Sequence, residues 1–576
     1  MTHMADMEEG SQAHRLPADS VVGEDERSPR SAERVLGDFT LDRQVLRLVP
    51  LALVVGALSA VVALGLLDLI GLFTHLAYYG NAGDSLVAPS LHRLGAYSVA
   101  VPVIGGLIVG LMARFGSERI RGHGIPEAME TILVGGSKVE PRLAVLKPIS
   151  SAVSIGSGGP FGAEGPIILT GGAVGSVLAQ FFRLSALERR ALLVAGACGG
   201  MAAVFGTPVA AALFGIELLV FEWKPRTMVP IALSVVVADT LRNVFAAHHL
   251  VRAAPLFPVP PHGAFSPLGV AEATAVGIAA GALAWVLTTA VYGTEDLFAR
   301  LPLHWSWWPA IGGLVVGIGG LIDPRALGVG YASISDELAG RIALGGLVVL
   351  LVVKLVVWSV ALGSGTSGGI LAPLLIMGAA LGGVMGHGLS GGGSPATWAL
   401  MGMAGTLAGV TRSPFTSVVF AFELTHDTGS LLPLLVVCTV AHGVSALVLR
   451  RSILTEKVAR RGFHVVREYA VDPLDAMFVR EVMVPIEDEL VSHAPELAVR
   501  PEATLRQAAD VMAEHDIGLV GVVDEDGEFV GMVSSLELLA ARRRQLEEER
   551  DRARALRWRP PAPLFVRPLL GRRNRS

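Results

Sequence analysis

The chain has little of what soluble enzymes and metal centres are built from. Of its 576 residues only 17% are charged, where a soluble domain carries about 25%. There are two cysteines, Cys198 and Cys438, both within apolar segments. They suit packing and exclude a disulfide framework. No Cys/His spacing resembles a zinc motif, and no catalytic triad, metal cluster or phosphate-binding loop is visible, so enzyme activity is not expected. The first residues are polar and mixed in charge, without the early apolar core of a signal peptide.

What the chain has is apolar length. It is 52% hydrophobic, with a mean hydropathy of +0.56. That balance fits a surface facing lipid. Charge gathers in residues 1–40, in short loops, and beyond about Arg450. Residues 1–40, rich in Glu, Asp, Arg and Ser, read as a disordered cytoplasmic segment. Residues 41–460 read as an all-α polytopic membrane domain, with repeats at about 94–247 and 305–450. The first apolar run, about Val45 to Tyr79, exceeds the roughly 20 residues a span needs. Many later segments are unequal and broken by Gly and Pro, as in re-entrant and partial helices. A linker at 461–478 leads to a small α/β module at 479–541. The tail, 542–576, holds twelve Arg. It reads as a solvated, lipid-facing basic arm on the cytoplasmic side, and not as a nucleic-acid binder.

The clearest pattern is internal. Lys147–Val177 matches Lys354–Val384 at an offset of 207, with eleven identities in 31 positions. These include Lys147/Lys354, Gly162/Gly369 and Pro166/Pro373. Ala195–Leu218 then matches Met401–Leu424 at an offset of 206, with Pro208/Pro414 and Glu217/Glu423 in register. Shared Gly/Ala bias does not place a Lys, two prolines and a Glu in order. Glycine-broken apolar segments at matching places in two halves point to a transporter's binding site. A helix that starts at membrane depth aims its free N–H groups into a cavity, and that end favours anions. Two such ends can hold a small anion without a fixed cation. Lys147 and Lys354 are expected near the membrane boundary, snorkelling to lipid or loops.

At these segments the sequence resembles the CLC family of voltage-gated chloride channels and proton/chloride antiporters. Gly162-Ala163-Glu164-Gly165-Pro166 resembles the family's GREGP motif. Gly369-Ile370-Leu371-Ala372-Pro373 resembles GxFxP, and Gly122-His123-Gly124-Ile125-Pro126 resembles GSGIP. The resemblance implies an inverted-repeat fold, a homodimer in the plasma membrane, cytoplasmic termini, and chloride and protons as transported ions. It implies that Glu164 is the gate. It also implies an anion site lined by His123, Gly124, Ile125, Gly162, Ala163, Gly165, Ile370, Leu371 and Leu454. From the residues alone, a carboxylate in an apolar segment is already a functional candidate.

Three departures stand out. His123 replaces the family's anion-contacting Ser, Leu454 replaces a Tyr, and Ala163 replaces a basic residue. Where many antiporters have a second, proton-accepting Glu, this chain has Leu218. The resulting expectation is a chloride channel gated by a pore glutamate. The alternatives are a proton/chloride antiporter, a fluoride- or nitrate-preferring relative, and a membrane-anchored nucleotide sensor. Glu217 and Glu423, as repeat mates, are expected to be structural.

Residues 479–541 resemble a CBS domain. Ala503–Glu514 reads as an amphipathic helix and Leu519–Val523 as a strand. Ser534 and Glu537 stand where that module contacts the ribose of an adenine nucleotide. No other cofactor is expected.

Overall fold

A computed structural model describes residues 45–133, 136–182, 184–391 and 393–462, then 474, 477–485, 497–524, 526–540 and 543. The segment 1–40, most of the 461–478 linker and nearly all of the 542–576 tail lie outside the described residues. The chain divides into two compact units, Phe39–Glu468 and a second that holds the C-terminal module.

The large unit is helical. Its long first helix, α1 (Val45–Thr74), ends in a π-turn at His75–Tyr79. The first half continues with α2 (Ala100–Phe115), α3 (Ile125–Leu133), α4 (Pro141–Gly156), α5 (Glu164–Gln180), α6 (Ala186–Phe205), α7 (Pro208–Phe214) and α8 (Pro225–Ala247). Helix α9 (Pro267–Ala299) leads into the second half. That half comprises α10 (Trp308–Ile322), α11 (Tyr331–Leu338), α12 (Leu344–Gly363), α13 (Leu371–Gly386), α14 (Pro395–Thr411), α15 (Pro414–Thr425) and α16 (Leu431–Val448). Helix α17 (Ile453–Arg460) closes the unit. Among the described residues seven helices are long and apolar enough to span a membrane. Most of the rest are shorter, and α6, with 20 residues, is set apart by its charged first turns. Helices α5 and α13 are buried along nearly their whole length, as partial helices inside a protein must be.

The two halves match element by element. A reciprocal clasp joins them. Glu217, at the end of the α7 segment, accepts from the Thr416 N–H (2.9 Å) and hydroxyl (2.6 Å) at the start of α15. Glu423, at the end of α15, accepts from the Val209 and Ala210 N–H groups at the start of α7 (2.9 and 2.8 Å). Such mutual contacts are the signature of a twofold relation. Each carboxylate also satisfies helix-start donors that have no intrahelical partner. Glu217→Ala is expected to lower stability by about 1–3 kcal/mol, the range for leaving a buried polar group unpartnered. Thermal unfolding in detergent reads this, and Glu423→Ala should lose a similar amount.

Lys147 and Lys354 make the loop contacts expected of them, but from inside the protein and without snorkelling to lipid. Both are 0% exposed. The Lys147 ammonium donates to the Ile120 and Gly122 carbonyls, each at 2.8 Å. Lys354 donates to the Ala326 carbonyl at 2.8 Å. Ile120 and Ala326 are repeat mates at an offset of 206. Each lysine therefore pins the turn before a short broken helix, α3 or α11. An ammonium has three donors, and loop carbonyls at this depth have few other partners, which is why the lysines point inward.

In the C-terminal module, strands β1 (Val484–Pro485), β2 (Ala498–Val499), β3 (Leu519–Val523) and β4 (Phe529–Ser534) form a sheet in the order β1-β4-β3-β2. Strands β2 and β3 are parallel and the other pairs antiparallel. Helix α18 (Leu505–Glu514) starts at a capping box formed by Thr504 and Gln507. Its buried Leu505, Ala508 and Val511 join Val520, Val522 and Val533 in one core.

Candidate functional site

Three loops meet at the centre of the large unit. They are the starts of α3, α5 and α13. Gly162 and Gly369 exchange both backbone hydrogen bonds, at 3.1 and 2.8 Å. Helices α5 and α13 thus begin side by side, which brings Pro166 and Pro373 together. Each proline is the third residue of its helix, where the missing N–H would have had no partner. The third loop joins through Gly122, whose N–H donates to the Thr366 carbonyl at 3.2 Å and whose carbonyl accepts from Gly368 at 3.4 Å. Ser367 is held from α4 by Ser150 and Ser151 at 3.2 and 2.8 Å.

The glycines are steric requirements. A Cβ on Gly162 would fall 1.8 Å from a Glu164 carboxylate oxygen, and one on Gly369 2.6 Å from the Gly162 carbonyl. Gly122 and Gly124 both take φ +89°, a conformation that side chains disfavour.

Glu164 is the first residue of α5 and is 0% exposed. Neither carboxylate oxygen has a hydrogen-bond partner among the described residues. It lies against Gly162 and Gly369, and the Ala372 N–H at the start of α13 faces it. An isolated buried carboxylate is costly to hold as an anion. Here two helix starts supply compensating partial positive charge. Ala163, Ile370 and Leu371 are buried around it, with Ile370 and Leu371 at the α13 start, where backbone N–H groups are free of intrahelical bonds.

The expected lining needs two adjustments. The Gly162 N–H is engaged by the Gly369 carbonyl, so this glycine shapes the site without donating to an anion. The Gly124 N–H donates to the Glu127 carboxylate at 2.8 Å. Glu127 is held in turn by Arg461 at 2.7 Å, so the start of α3 is capped by its own acid. Ile125 is buried in that first turn, and Gly165 packs against His123 and Gly369. His123 is 3% exposed, and its Nδ1 has no partner among the described residues. Leu454 is fully buried near the start of α17. A hydroxyl does reach that helix start, from Tyr292 on α9, but it donates to the Ile453 carbonyl.

Sequence reading missed the approach to the site. A cavity of about 490 Å³ opens beside Gly122 and His123, and its wall carries Arg119, Arg121, Lys457, Arg460 and Arg461 against Glu118, Glu130 and Glu295. Each cation has an acidic partner, Arg119 with Glu140, Arg121 with Glu118, Lys457 with Glu295, Arg460 with Asp296, and Arg461 with Glu127 and Glu130, so the wall is a salt-bridge network. Arg121 is stacked 4.6 Å over the Trp305 ring. The run Lys457-Val458-Ala459-Arg460-Arg461 was the available signal, but it reads equally as linker charge. Glu127, three residues into its helix, was legible as a cap.

In the C-terminal module, Ser534 donates to Glu537 through its N–H at 2.8 Å and through its hydroxyl. The pair caps the helical turn that follows. Burial raises the Glu537 carboxyl, but these bonds outweigh it and hold the group below its ordinary value.

The sequence profile described as voltage gated chloride channel matches residues 105–446, and that of the CBS domain matches residues 479–544. A ClcB-like protein of Ralstonia nicotianae, named among chloride channel proteins, is 30% identical over 392 residues, covering 66% of this chain and 90% of that protein. The H(+)/Cl(-) exchange transporter ClcA of Yersinia pestis is 30% identical over 354 residues, covering 57% of this chain and 70% of its own length. The solved structure of a slow cyanobacterial Cl-/H+ antiporter superposes with a TM-score of 0.64 at 22% identity, covering 73% of this chain and 99% of that one. That likeness bears on the fold. The inverted repeat, the helix starts paired through Gly162 and Gly369, and a match over more than half its length agree: this chain belongs to the voltage gated chloride channel family and carries a CBS domain.

Proposed function

We propose that this protein carries chloride across the plasma membrane as a homodimer with cytoplasmic termini, through a path gated by Glu164. One observation carries the reading. A fully buried carboxylate, without a side-chain partner among the described residues and faced by the Ala372 N–H, lies against the paired glycines that start α5 and α13. Those helix starts attract a negative charge, and either a chloride or the ionised carboxylate can fill the position. Protonation removes the competitor and opens the path. His123, Ile370 and Leu371 complete the anion's surroundings. A neutral imidazole gives one N–H, and helix-start amides give dipoles without the tight grip of a fixed charge. The charge-lined cavity beside His123 gives access from one mouth.

Proton-coupled exchange is the second reading, favoured by the similarity to a protein named an exchange transporter. Against it stands Leu218, buried and unable to take a proton. The C-terminal module is read as a stabilising or pairing domain.

Radiolabelled chloride uptake into proteoliposomes, with a pH-sensitive dye inside, tests both. Uptake with a reversal potential at chloride's own is the expected result. Proton movement against its gradient would establish exchange, and absence of any anion flux would refute transport. Replacing His123 with Ser should preserve chloride flux and change the ratio of fluoride, chloride and nitrate rates.

A further inference from the structure

The repeat relates the His123 loop to a second loop that none of the sequence motifs includes. Gly122-His123-Gly124 before α3 corresponds to Gly328-Val329-Gly330 before α11, at an offset of 206. All four glycines have positive φ. Both loops are pinned by a buried lysine, and both lead into a short helix. In the first half the start of α3 is capped by Glu127. In the second half the equivalent position is Ser333, which donates its hydroxyl to the Arg325 carbonyl instead. The start of α11 therefore keeps free N–H groups.

Two buried polar side chains collect around this second loop. Arg242, near the end of α8, is 1% exposed. Its Nη2 donates to the Arg252 carbonyl at 2.7 Å, while Nε and Nη1 have no partner among the described residues. The guanidinium lies against Gly206, where a Cβ would fall 2.8 Å from Nη1. Tyr331, the first residue of α11, has a buried hydroxyl with no partner among the described residues. Its ring is wedged between Phe205 and Phe257, at 6.1 and 5.9 Å. That hydroxyl is within electrostatic range of both Arg242 and the Glu164 carboxylate. The other charge near Arg242 is Asp239, which accepts from Asn243 at 3.2 Å.

A guanidinium that only tied helix ends together would have its donors filled, because an unmet buried donor is destabilising. The guanidinium Nε and Nη1 and a hydroxyl, without hydrogen-bond partners among the described residues and beside a helix start, form a set of unmatched donors. We propose that Arg242, the Tyr331 hydroxyl and the start of α11 form a second subsite for a small monovalent anion, the repeat's counterpart of the His123 subsite. It serves as the waiting position on the other side of the Glu164 gate. The aromatic walls restrict it to an ion that sheds most of its water. The inference rests on the chloride reading above.

Chloride titrated calorimetrically into the full-length protein tests it, with Tyr331→Phe and Arg242→Lys as variants. Tyr331→Phe removes a hydroxyl that no described residue bonds, so its melting temperature should equal wild type. Its chloride affinity at one class of site should fall roughly fivefold, the loss of about one hydrogen bond. Arg242→Lys, which keeps the charge but not the planar fork, should weaken the same class further. If Tyr331→Phe gives an isotherm superimposable on wild type, the subsite is overturned, whether or not Arg242→Lys folds. Wild-type protein that shows neither chloride heat nor chloride flux would instead sink the transport reading itself.

Discussion

Chloride flux through Glu164→Gln is expected to lose its dependence on pH. In the wild type, flux should rise as the medium is acidified, because protonation takes the carboxylate out of competition for the helix starts at Gly162 and Gly369. Glutamine has nearly the same size and carries no charge at any pH. The Cβ of residue 164 and the packing of Ala163, Ile370 and Leu371, all buried, are unchanged by the substitution. What changes is a full negative charge facing two helix ends, each worth on the order of 1 kcal/mol of charge stabilisation. Removing that competitor should raise flux in the alkaline range by about tenfold or more, since 1.4 kcal/mol is tenfold in occupancy. Any proton movement coupled to chloride should vanish with it. Uptake measured across a pH series in both proteins checks this. A variant that retains the wild-type profile would remove Glu164 from the mechanism.

Lys147→Met is expected to be among the most damaging single changes outside the site. The side chains are similar in length, so packing is nearly conserved. The ammonium, however, is the donor that holds the Ile120 and Gly122 carbonyls, both at 2.8 Å. Methionine takes the ammonium from the Ile120 carbonyl and leaves the Gly122 carbonyl with only its long bond from the Gly368 N–H, at about 1–3 kcal/mol. It also removes one cation from a buried network that contains Glu127 and Arg461, which brings the total towards the roughly 3–5 kcal/mol that breaking such networks costs. The expected loss is about 3–5 kcal/mol in thermal unfolding. Because Gly122 carries the backbone bonds to Thr366 and Gly368, chloride affinity should fall in whatever protein still folds. Lys147→Arg should restore part of both. Equal stability of Lys147→Met and wild type would show that the loop is held otherwise.

Much of this was legible in the sequence. The repeat offsets put Pro166 opposite Pro373 and Glu164 opposite Leu371, and the halves meet at those positions. The repeat also pointed to structural roles for Glu217 and Glu423. It could not show that each caps the other half's helix, because a reciprocal contact across a twofold is visible only once the halves dock. The predicted strand Leu519–Val523 and helix near 503–514 match β3 and α18. The lysines were expected to contact lipid or loops; they hold loops, and it was their full burial that the sequence did not show. A lone cation in an apolar run usually snorkels, and only the fold reveals carbonyls that compete with water for it. Gly124 and Gly162 were placed in the lining of the anion site, and motif position alone does not say that their amides are already bonded. The cavity beside His123 draws its cations from two distant stretches, near Arg121 and near Lys457, which no local pattern joins. Arg242 and Tyr331 were missed for the same reason.

The most direct test is where a heavy halide binds. Crystals of the wild type and of Glu164→Gln, grown in bromide at a pH that keeps carboxylates ionised, would locate the anion by anomalous scattering. The expected result is a bromide at the joined starts of α5 and α13 in the glutamine variant, at the spot the Glu164 carboxylate fills in the wild type, with that peak absent from the wild type. Bromide at that spot in both proteins, or in neither, would contradict the account.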